Sequence, residues 1–527
     1  MKWISVIAFL LAATGASAQN VTGRWTGPGA LTNTGVPADN GTELVLALSE
    51  SGGKITGYIE GPRANDSIVS GKLEGNKLTL EAERAGRGGQ MQTVTYTAEI
   101  EGGKLKLTMP QPQFGGRGAG RGGRGGAPRP PQVFELARVS SKDPGPKPAP
   151  APLVSLPMPE PVKHELARTP PMGWNSWNKF RNQVSDAMVR EMADAIVSSG
   201  MRDAGYIYVN IDDTWEGLHR DSRGNIVTNN KFPDMKKLAD YIHSKGLKLG
   251  IYSSPGPKTC AGYMGSYQHE EQDARTFASW GIDYLKYDWC SASQVYTNND
   301  QATMAGAYAK MGLALLNSGR PIVYSLCQYG NLDVGEWGES VGGNLWRTTG
   351  DIQDNWNSMS HIGFELQPGR EKYAWAGHWN DPDMLEIGNG GMTDTEYQTH
   401  MSLWCILSAP LLAGNDIRSM SPSIASILMN KEVIAVDQDH LGRQGVRVAK
   451  DGDLEVWAKP LAGDAYAVGL FNRGAESAKI TARWSDIGIQ GSHPVRDLWK
   501  HQDLGAVADS FTAEVPSHGV VMIKVAK

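Results

Sequence analysis

The pattern of apolar and polar positions changes twice along the chain and divides it into three regions. Over residues 21–139 apolar residues alternate with polar residues, which is typical of β-strands with one buried face. Over residues 169–437 short apolar runs alternate with longer segments in which apolar residues recur with a helical period. From about Leu441 onward the simple alternation returns. The pattern therefore predicts an all-β region, an α/β region and a second all-β region.

The first region consists of short alternating segments separated by glycine-containing turns. Its predicted strands are 43–48, 54–59, 77–81, 94–100, 104–108 and 133–139. They favour a small barrel or a sandwich, and no catalytic cluster is apparent among them. A Gly/Arg-rich tract, residues 114–127, precedes the last strand. Such tracts bind single-stranded nucleic acid in some proteins, but the export signal described below favours a simple loop.

The second region is predicted to alternate strands with helices. The predicted strands are 206–211, 247–252, 282–287, 321–326, 374–379 and 408–412, and the clearest helices are 235–244, 271–280 and 302–316. Such alternation indicates a parallel sheet, and a length of roughly 270 residues matches a closed (β/α)8 barrel. A doubly wound open sheet is the alternative, but no glycine-rich phosphate loop follows the first strand.

The third region is short and alternates throughout. Its predicted strands are 454–458, 465–471, 478–482 and 520–525. A segment of this length forms no more than one pair of sheets. The predicted fold class is therefore a (β/α)8 TIM barrel with a C-terminal antiparallel β-sandwich and an extra N-terminal all-β domain.

Composition marks the boundaries between these regions. Lys2, the apolar run 4–13 and the small residues 16–18 predict a signal peptide. Five prolines in near alternation over residues 144–152 predict a stiff linker. The predicted organisation is a signal peptide at 1–18, an all-β domain at 19–140, a Pro-rich linker at 141–165, a catalytic barrel at 166–440 and an antiparallel β domain at 441–527.

Charge and composition exclude some classes of partner. The 51 basic and 56 acidic residues give a net charge of −5, which provides no field for nucleic acid. No segment after the signal peptide approaches the roughly 20 apolar residues that span a bilayer, so an exported protein, periplasmic or extracellular, is expected. The 16 Trp and 17 Tyr residues outnumber the 9 Phe, and such amphipathic rings suit the faces of sugars.

Acidic side chains accumulate where the predicted barrel strands end. Directly after strand-like segments come Asp212 and Asp213, Asp288, Arg347 with Asp351, and Asp381 with Asp383, interleaved with Trp174, Trp177, Trp215, Trp289, Trp346 and Trp379. In a barrel these ends meet at one face. Tryptophan rings stack on sugar C–H faces while carboxylates bind hydroxyl groups, so a sugar site is predicted. Carboxylate pairs also bind divalent metals, but no histidine pair or EF-type loop supports a metal, and no cofactor is predicted.

Two carboxyl groups are needed for glycoside hydrolysis, one as nucleophile or base and one as acid. Asp288 and Asp351 are the best pair because each has a cation close in sequence. Lys286 lies two residues before Asp288, and Arg347 lies four residues before Asp351. Spacing alone does not exclude Asp213 and Asp381 as the pair.

Five segments carry a resemblance to a known family. They are Thr169-Pro-Pro-Met-Gly-Trp-Asn-Ser-Trp-Asn-Lys-Phe180, Ile211-Asp-Asp213, Tyr284-Leu-Lys-Tyr-Asp288, Trp346-Arg-Thr-Thr-Gly-Asp351 and Trp379-Asn-Asp-Pro-Asp-Met-Leu385. In this order they resemble glycoside hydrolase family 27, the α-galactosidases and α-N-acetylgalactosaminidases of clan D. The resemblance runs from about Leu166 to the C terminus and leaves the N-terminal domain outside. It implies a (β/α)8 barrel, an antiparallel C-terminal β domain and a retaining double displacement.

The resemblance also implies roles by motif position. Asp288 corresponds to the nucleophile and Asp351 to the acid/base. The residues implied to line the sugar pocket are Trp177, Asp212, Asp213, Lys286, Arg347, Asp381 and Met384. Cys260 and Cys290 match a family disulfide beside the site, whereas Cys327 and Cys405 are expected to be free and buried.

Two positions depart from the family pattern. After Cys327 this chain has Gln328 and Tyr329 where many members have Glu-Trp, so an amide replaces the carboxylate expected to contact the substituent at C2. Trp289 follows the nucleophile where Asn or Gly is common. Both side chains after Cys327 are bulky, which disfavours an N-acetyl group, and Asp213 leaves room for a C6 hydroxymethyl group that Glu would fill.

The sequence therefore predicts an exported, retaining exo-α-galactosidase that acts on terminal α-linked galactose of oligo- or polysaccharides. The predicted partner is this carbohydrate substrate, with neither nucleic acid nor membrane. Another family specificity, β-L-arabinopyranosidase or α-N-acetylgalactosaminidase, is the first alternative. A non-catalytic galactose-binding protein is the second, and the intact pair of Asp288 and Asp351 disfavours it because a lectin needs no acid/base.

Overall fold

The computed structural model describes residues 20–28, 43–61, 64–85, 91–109, 132–145, 154–163, 165–296 and 300–526. The predicted signal peptide, the Gly/Arg-rich tract and the middle of the Pro-rich linker lie outside these ranges. The described residues fall into two compact units, one within Met1–Ala149 and the other within Pro150–Lys527. Among them, no helix is long and apolar enough to cross a membrane.

The first unit contains a closed antiparallel barrel of eight strands. They are β1 (Gly23–Pro28), β2 (Glu43–Ser51), β3 (Lys54–Gly61), β4 (Ala64–Glu74), β5 (Lys77–Ala85), β6 (Met91–Glu101), β7 (Lys104–Thr108) and β8 (Val133–Ser140). Each strand pairs with the next, and β1 pairs with β8 to close the barrel. Inward-pointing side chains such as Leu46, Leu80 and Leu107 fill the interior as one apolar core.

Strands β1 and β4 were absent from the sequence prediction, and β4 shows why. Its pairing with β5 shifts register between Ile68 and Ser70, so the apolar residues no longer alternate regularly along the strand. Gly71 carries no side chain because a Cβ there would lie 2.8 Å from Ile55 and Leu80 side-chain atoms. A bulge next to a glycine therefore hides this strand from a periodicity argument.

The second unit contains eight parallel strands that form the predicted barrel. They are β9 (Met172–Asn175), β10 (Tyr208–Asn210), β11 (Lys248–Ser253), β12 (Tyr284–Asp288), β13 (Val323–Cys327), β14 (Leu345–Arg347), β15 (Trp379–Asp381) and β16 (Leu411–Ala413). Neighbours in sequence pair in register, and β16 pairs with β9. The seam after β15 is joined by backbone hydrogen bonds of 2.9 Å from Leu385 N to Leu412 O and from Gly414 N to Leu385 O.

Ten α-helices accompany these strands in the described part of the chain. They are α1 (Trp177–Phe180), α2 (Asp186–Ser198), α3 (Met235–Ser244), α4 (Glu270–Trp280), α5 (Gln301–Asn317), α6 (Val334–Trp337), α7 (Trp356–Ser360), α8 (Asp394–Ile406), α9 (Pro422–Leu428) and α10 (Lys431–Asp437). The three helices predicted from periodicity correspond to α3, α4 and α5 within one residue at each end. Asp234 and Asp300 cap α3 and α5 by accepting hydrogen bonds from backbone N–H groups of their first turns.

The predicted strand 374–379 was wrong. Residues 375–378 form a tight turn in which Trp375 and His378 exchange backbone hydrogen bonds of 2.9 and 2.8 Å, and β15 begins only at Trp379. Ala374 is nevertheless buried, so the apolar run reports burial rather than strand geometry. The other predicted barrel strands begin one to three residues later than predicted. Strand β12 also ends one residue later, so Asp288 is its last residue rather than the first residue of a loop.

The C-terminal part of this unit is an antiparallel β-sandwich. Its strands are β17 (Val446–Asp451), β18 (Leu454–Leu461), β19 (Ala465–Asn472), β20 (Ala478–Arg483), β21 (Ser492–Asp497), β22 (Gln502–Ala508), β23 (Ser510–Val515) and β24 (Val520–Val525). Six of them form one sheet, and β20 and β23 form a second. Strand β22 is largely exposed along its length, which explains why alternation did not predict it. The predicted fold class is confirmed.

Helix α8 lies between the barrel and the β-sandwich and is buried on nearly all sides. His400 on this helix is fully buried, and neither ring nitrogen has a hydrogen-bond partner among the described residues. Its ring contacts the Trp404 ring edge-on, with centroids 4.1 Å apart. Burial lowers the pKa of His400 to about 3.

This histidine predicts a specific pH dependence of stability. The unfolded chain binds a proton on His400 below about pH 6.5, whereas the folded chain does not until about pH 3. Within that window the free energy of unfolding therefore falls as pH falls, by at most about 1.4 kcal/mol per pH unit from this group. His400→Leu removes this titratable group. The free energy of unfolding of the variant, relative to that of wild type, is therefore expected to increase as the pH is lowered from 7 to 4. Urea unfolding at several pH values measures the difference, with the exposed His440→Leu as control, and a constant difference for His400→Leu would contradict the expectation.

Candidate active site

The residues predicted for the site lie at one end of the barrel, where the parallel strands terminate. Asp288 is the last residue of β12, Arg347 of β14 and Asp381 of β15. Backbone pairing places Asp288 level with Cys327 and Arg347 level with Asp381. Lys286 lies within β12. The other predicted pocket residues follow strands at the same end: Trp177 after β9, Asp212 and Asp213 after β10, Gln328 after β13 and Met384 after β15.

Asp288 is buried and is held by two tyrosine hydroxyl groups. Tyr252, in β11, donates to Oδ2 at 3.0 Å, and Tyr329, after β13, donates to Oδ1 at 2.7 Å. Burial raises the pKa of Asp288, while the charge of Lys286 and the two tyrosine hydrogen bonds oppose that rise. Both carboxylate oxygens are therefore fixed in position by neutral donors.

Lys286 pairs with a different carboxylate from the one expected. Its Nζ lies 2.8 Å from Oδ2 of Asp212, which also accepts a 2.9 Å hydrogen bond from Asn175 Nδ2. Burial lowers the pKa of Lys286, but Asp212 and the other negative groups around it more than reverse that effect. The ammonium group therefore stays charged, and it acts on Asp288 through its field rather than through a direct ion pair.

Asp213 is fully enclosed and is tied to the loop that follows β11. Its Oδ2 accepts a 2.7 Å hydrogen bond from the backbone N–H of Ala261, and its Oδ1 accepts one of 2.7 Å from Thr214. Burial raises the pKa of Asp213 to about 7, although hydrogen bonds from Thr259, Ala261 and Thr214 lower it. A carboxyl group so placed binds a hydroxyl group well but is a poor permanent anion.

On the other side of the site, Arg347 forms ion pairs with two acids, Asp383 and Asp351. Its Nη2 lies 2.9 Å from Oδ2 of Asp383 and 3.3 Å from Oδ1 of Asp351. The Asp351 side chain is 67% exposed, unlike the other acids of the site. Gln328 donates from Nε2 to the backbone oxygen of Arg347 at 2.9 Å, and its buried Oε1 has no partner among the described residues. The Asp351 carboxyl group is thus open to a ligand, whereas the unpaired amide oxygen of Gln328 is enclosed.

The sequence prediction left two residues of the site unassigned: it missed Tyr252, and it gave Asp383 no role. Tyr252 ends the predicted strand 247–252, so its position at a strand end was the available signal. Asp383 was seen at a strand end, but its ion pair with Arg347 was not foreseen. Asp383 has φ 91°, and Thr214 (φ 88°) and Tyr329 (φ 63°) are also left-handed next to site residues. Such strained backbone clusters at functional sites.

Cys260 and Cys290 form a disulfide beside Asp288, which ties the loops after β11 and β12 together. The Cys290 sulfur lies 3.2 Å from the Tyr252 hydroxyl, and the Cys260 sulfur lies 3.9 Å from the Tyr329 hydroxyl. These two cysteines and Asp288 form a cluster of metal-type ligand atoms, but sulfurs joined to each other are not thiolate ligands. Cys327 and Cys405 are free and buried.

The barrel end therefore combines two carboxyl groups with different environments. Asp288 is buried and hydrogen-bonded, whereas Asp351 is open to solvent and lies beside a guanidinium group. A fixed carboxylate suits attack on an electrophilic carbon, and an exposed carboxyl group suits proton exchange with a leaving group or water. Lys286, Asp212, Asp213, Asp381 and Gln328 add fixed polar groups that suit a polyhydroxylated ligand.

Comparisons with known proteins agree with this geometry. The family model described as "Alpha galactosidase A" matches residues 169–439, and "Alpha galactosidase C-terminal beta sandwich domain" matches residues 451–525. The chain is 52% identical over 366 residues to an α-galactosidase of Cyamopsis tetragonoloba. The matched segment covers 68% of this chain and 87% of that relative.

Two solved structures extend the comparison. The crystal structure of α-galactosidase I from Mortierella vinacea is 40% identical and superposes with a TM-score of 0.66, covering 68% of this chain and 97% of that chain. A putative α-galactosidase from Bacteroides fragilis is 32% identical with a TM-score of 0.66, covering 90% of this chain and 94% of that chain. The second match therefore extends over more of this chain than the first.

Proposed function

The chain belongs to the α-galactosidases of glycoside hydrolase family 27, and we propose that it releases terminal α-linked galactose from oligo- or polysaccharides with retention of configuration. The observation that carries the mechanism is the contrast between two carboxyl groups at one barrel end. Asp288 is buried and held by two tyrosine hydroxyl groups, whereas Asp351 is exposed beside Arg347.

In the first step the Asp288 carboxylate attacks the anomeric carbon of galactose. The bond to the leaving oxygen breaks with its electron pair, and Asp351 supplies the proton that this oxygen needs. In the second step Asp351 takes a proton from a water molecule whose oxygen attacks the same carbon. The bond to Asp288 breaks and its carboxylate is regenerated, so two inversions give net retention.

The environments of the acids favour this pair over Asp213 and Asp381. Asp213 already accepts two backbone hydrogen bonds, and burial raises its pKa to about 7, so much of it is protonated at neutral pH. Burial likewise raises the pKa of Asp381 to about 6, although Arg347 lowers it. Both groups suit hydrogen bonding to sugar hydroxyls better than attack or rapid proton exchange.

Turnover of a matched set of aryl glycosides tests the proposed function. The set is the α-galactoside, the α-N-acetylgalactosaminide and the β-L-arabinopyranoside, and the α-galactoside is expected to give the highest kcat/KM. NMR of the first product is expected to show α-galactose before mutarotation. A preference for either rival sugar would overturn the specificity, and β-galactose as first product would overturn the retaining mechanism.

Asp213 is expected to control the choice between galactose and the pentose arabinopyranose. Its side chain is anchored from behind by Ala261 and Thr214, so Glu at this position would extend into the sugar pocket. Asp213→Glu should lower kcat/KM on the aryl α-galactoside by about 100-fold, because it displaces the C6 hydroxymethyl group and a well-placed hydrogen bond. The ratio of arabinopyranoside to galactoside activity should rise at the same time. An equal loss on both sugars would mean that Asp213 does not face C6.

A further inference from the structure

We infer that Tyr329 is a positioning residue which holds the carboxylate of Asp288 through its hydroxyl group and speeds the second step of the reaction. This inference rests on the proposed function, because it requires Asp288 to be the nucleophile. Tyr329 stands where many family members have Trp, which carries no hydroxyl group.

The backbone after β13 is shaped to deliver this hydroxyl group. The backbone of Tyr329 lies in the left-handed region, with φ 63°, and that of Gly330 follows with φ 77°. A Cβ at Gly330 would lie 2.3 Å from the backbone oxygen of Thr348, so the turn needs glycine there. A bulky residue in the left-handed region is strained, and such strain persists only where the surroundings enforce it. Here the turn brings the phenol of Tyr329 to 2.7 Å from Oδ1 of Asp288.

The ring of Tyr329 is also held from its sides. The guanidinium carbon of Arg347 lies 5.9 Å from the ring centroid, within range of a cation–π contact. The sulfur of Cys260 lies 3.9 Å from the hydroxyl oxygen. Burial and the neighbouring charge of Asp288 raise the pKa of the Tyr329 phenol well above its usual value, so it remains a donor. Half-buried and fixed on three sides, it is arranged to hold one carboxylate oxygen.

The direction of the effect follows from the charge on Asp288. A hydrogen bond to a carboxylate stabilises the anion more than it stabilises an ester. In the first step the anion is consumed when its oxygen bonds to the sugar, so the donor makes Asp288 a weaker nucleophile. In the second step water attacks the sugar carbon, the ester bond breaks and its electron pair returns to Asp288. The donor stabilises that departing anion, so the Tyr329 hydroxyl speeds the second step.

The same contact predicts a change in pH dependence. The titratable and charged groups that face Asp288 are Tyr252 on β11, Lys286 on β12, Asp212 after β10, Cys327 on β13, Tyr308 on α5 and Tyr329 itself. Of these, Lys286, Tyr329 and Tyr252 lower the pKa of Asp288, whereas Asp212 raises it. Removal of the Tyr329 hydroxyl should therefore move the acidic limb of kcat/KM to higher pH.

Tyr329→Phe tests the inference, because it deletes one oxygen atom and leaves the ring. With an aryl α-galactoside that has a good leaving group, the second step limits turnover. We expect kcat to fall about ten-fold and KM to fall in parallel, so that kcat/KM changes less than about three-fold. Intact-protein mass spectrometry during turnover should show more galactosyl-enzyme than in wild type. Tyr241→Phe is the matched control, since its hydroxyl also bonds a carboxylate, that of Asp194 at 2.7 Å, but on an outer helix.

Three outcomes would overturn the inference. The first is that Tyr329→Phe has the same kcat, the same KM and the same acidic limb of kcat/KM as wild type. The second is an equal fall in kcat and kcat/KM with no accumulated galactosyl-enzyme, which is the signature of general disturbance. The third is the same change in Tyr241→Phe. Activity in Asp288→Ala, assayed beside Tyr329→Phe, would instead contradict the proposed function. Failure of the inference and failure of the proposed function can therefore be told apart.

Discussion

Asp288→Ala is expected to lower kcat on α-galactosides by at least about 10,000-fold. The lost carboxylate is the one that two tyrosine hydroxyl groups hold in place, at 2.7 and 3.0 Å. Water in the vacated space is a far weaker nucleophile than a fixed, desolvated carboxylate. The substituted side chain is small and its partners are hydroxyl groups, so the barrel should still fold. Initial rates on an aryl α-galactoside, with thermal unfolding as a check of the fold, measure the effect.

Azide sharpens this experiment. The cavity left by the carboxylate admits a small anion beside Lys286, and azide is expected to restore part of the activity of Asp288→Ala with an aryl substrate. Attack from the side of Asp288 gives β-galactosyl azide, which is the inverted product. Asp486→Ala, an exposed acid in the β-sandwich, serves as control and should retain full activity. Substantial turnover by Asp288→Ala without azide would contradict the assignment.

Asp351→Ala is expected to show the second largest effect, and the size should depend on the leaving group. A sugar or alkyl leaving group needs a proton, so kcat/KM on such substrates should fall by about 1,000-fold or more. A dinitrophenyl leaving group departs as an anion, so kcat/KM on that substrate should fall less than about ten-fold. The Asp351 side chain is open to solvent, so it can exchange protons with water between the two steps.

The matched variant for this test is Asp351→Asn. It keeps the shape and the contact with Arg347 but cannot donate a proton as a carboxylic acid does. Both variants should therefore show the same dependence on the leaving group, measured as the slope of log kcat/KM against the leaving-group pKa. Equal losses on poor and good leaving groups would assign Asp351 to substrate binding instead. A loss in the alanine variant alone would point to a role in packing.

Long periodic segments were predicted well because their pattern is local. Helix α3 was predicted to the residue, and α4 and α5 within one residue, since an amphipathic face repeats along the helix whatever it packs against. Strands with a bulge or little burial were missed. Strand β4 slips register after Ile68, and β22 is exposed along most of its length, so neither shows the alternation that identifies a strand.

The sequence by itself determined which acids reach the barrel end. Parallel strands terminate at one edge, so Asp212, Asp288 and Asp381 had to meet there once the strands were located. The family motifs added the roles implied for Asp288 and Asp351. The pairing of Cys260 with Cys290 was implied in the same way and is present in the structure.

Only the tertiary structure decided which side chains touch. Lys286 pairs with Asp212 across 74 residues rather than with its near neighbour Asp288, and Tyr252 and Tyr329 reach Asp288 from 36 and 41 residues away. These contacts depend on the register between neighbouring strands and on the left-handed turn at Tyr329. Both are set by packing across the barrel, because no local pattern of apolar and polar residues encodes the distance between side chains on different strands.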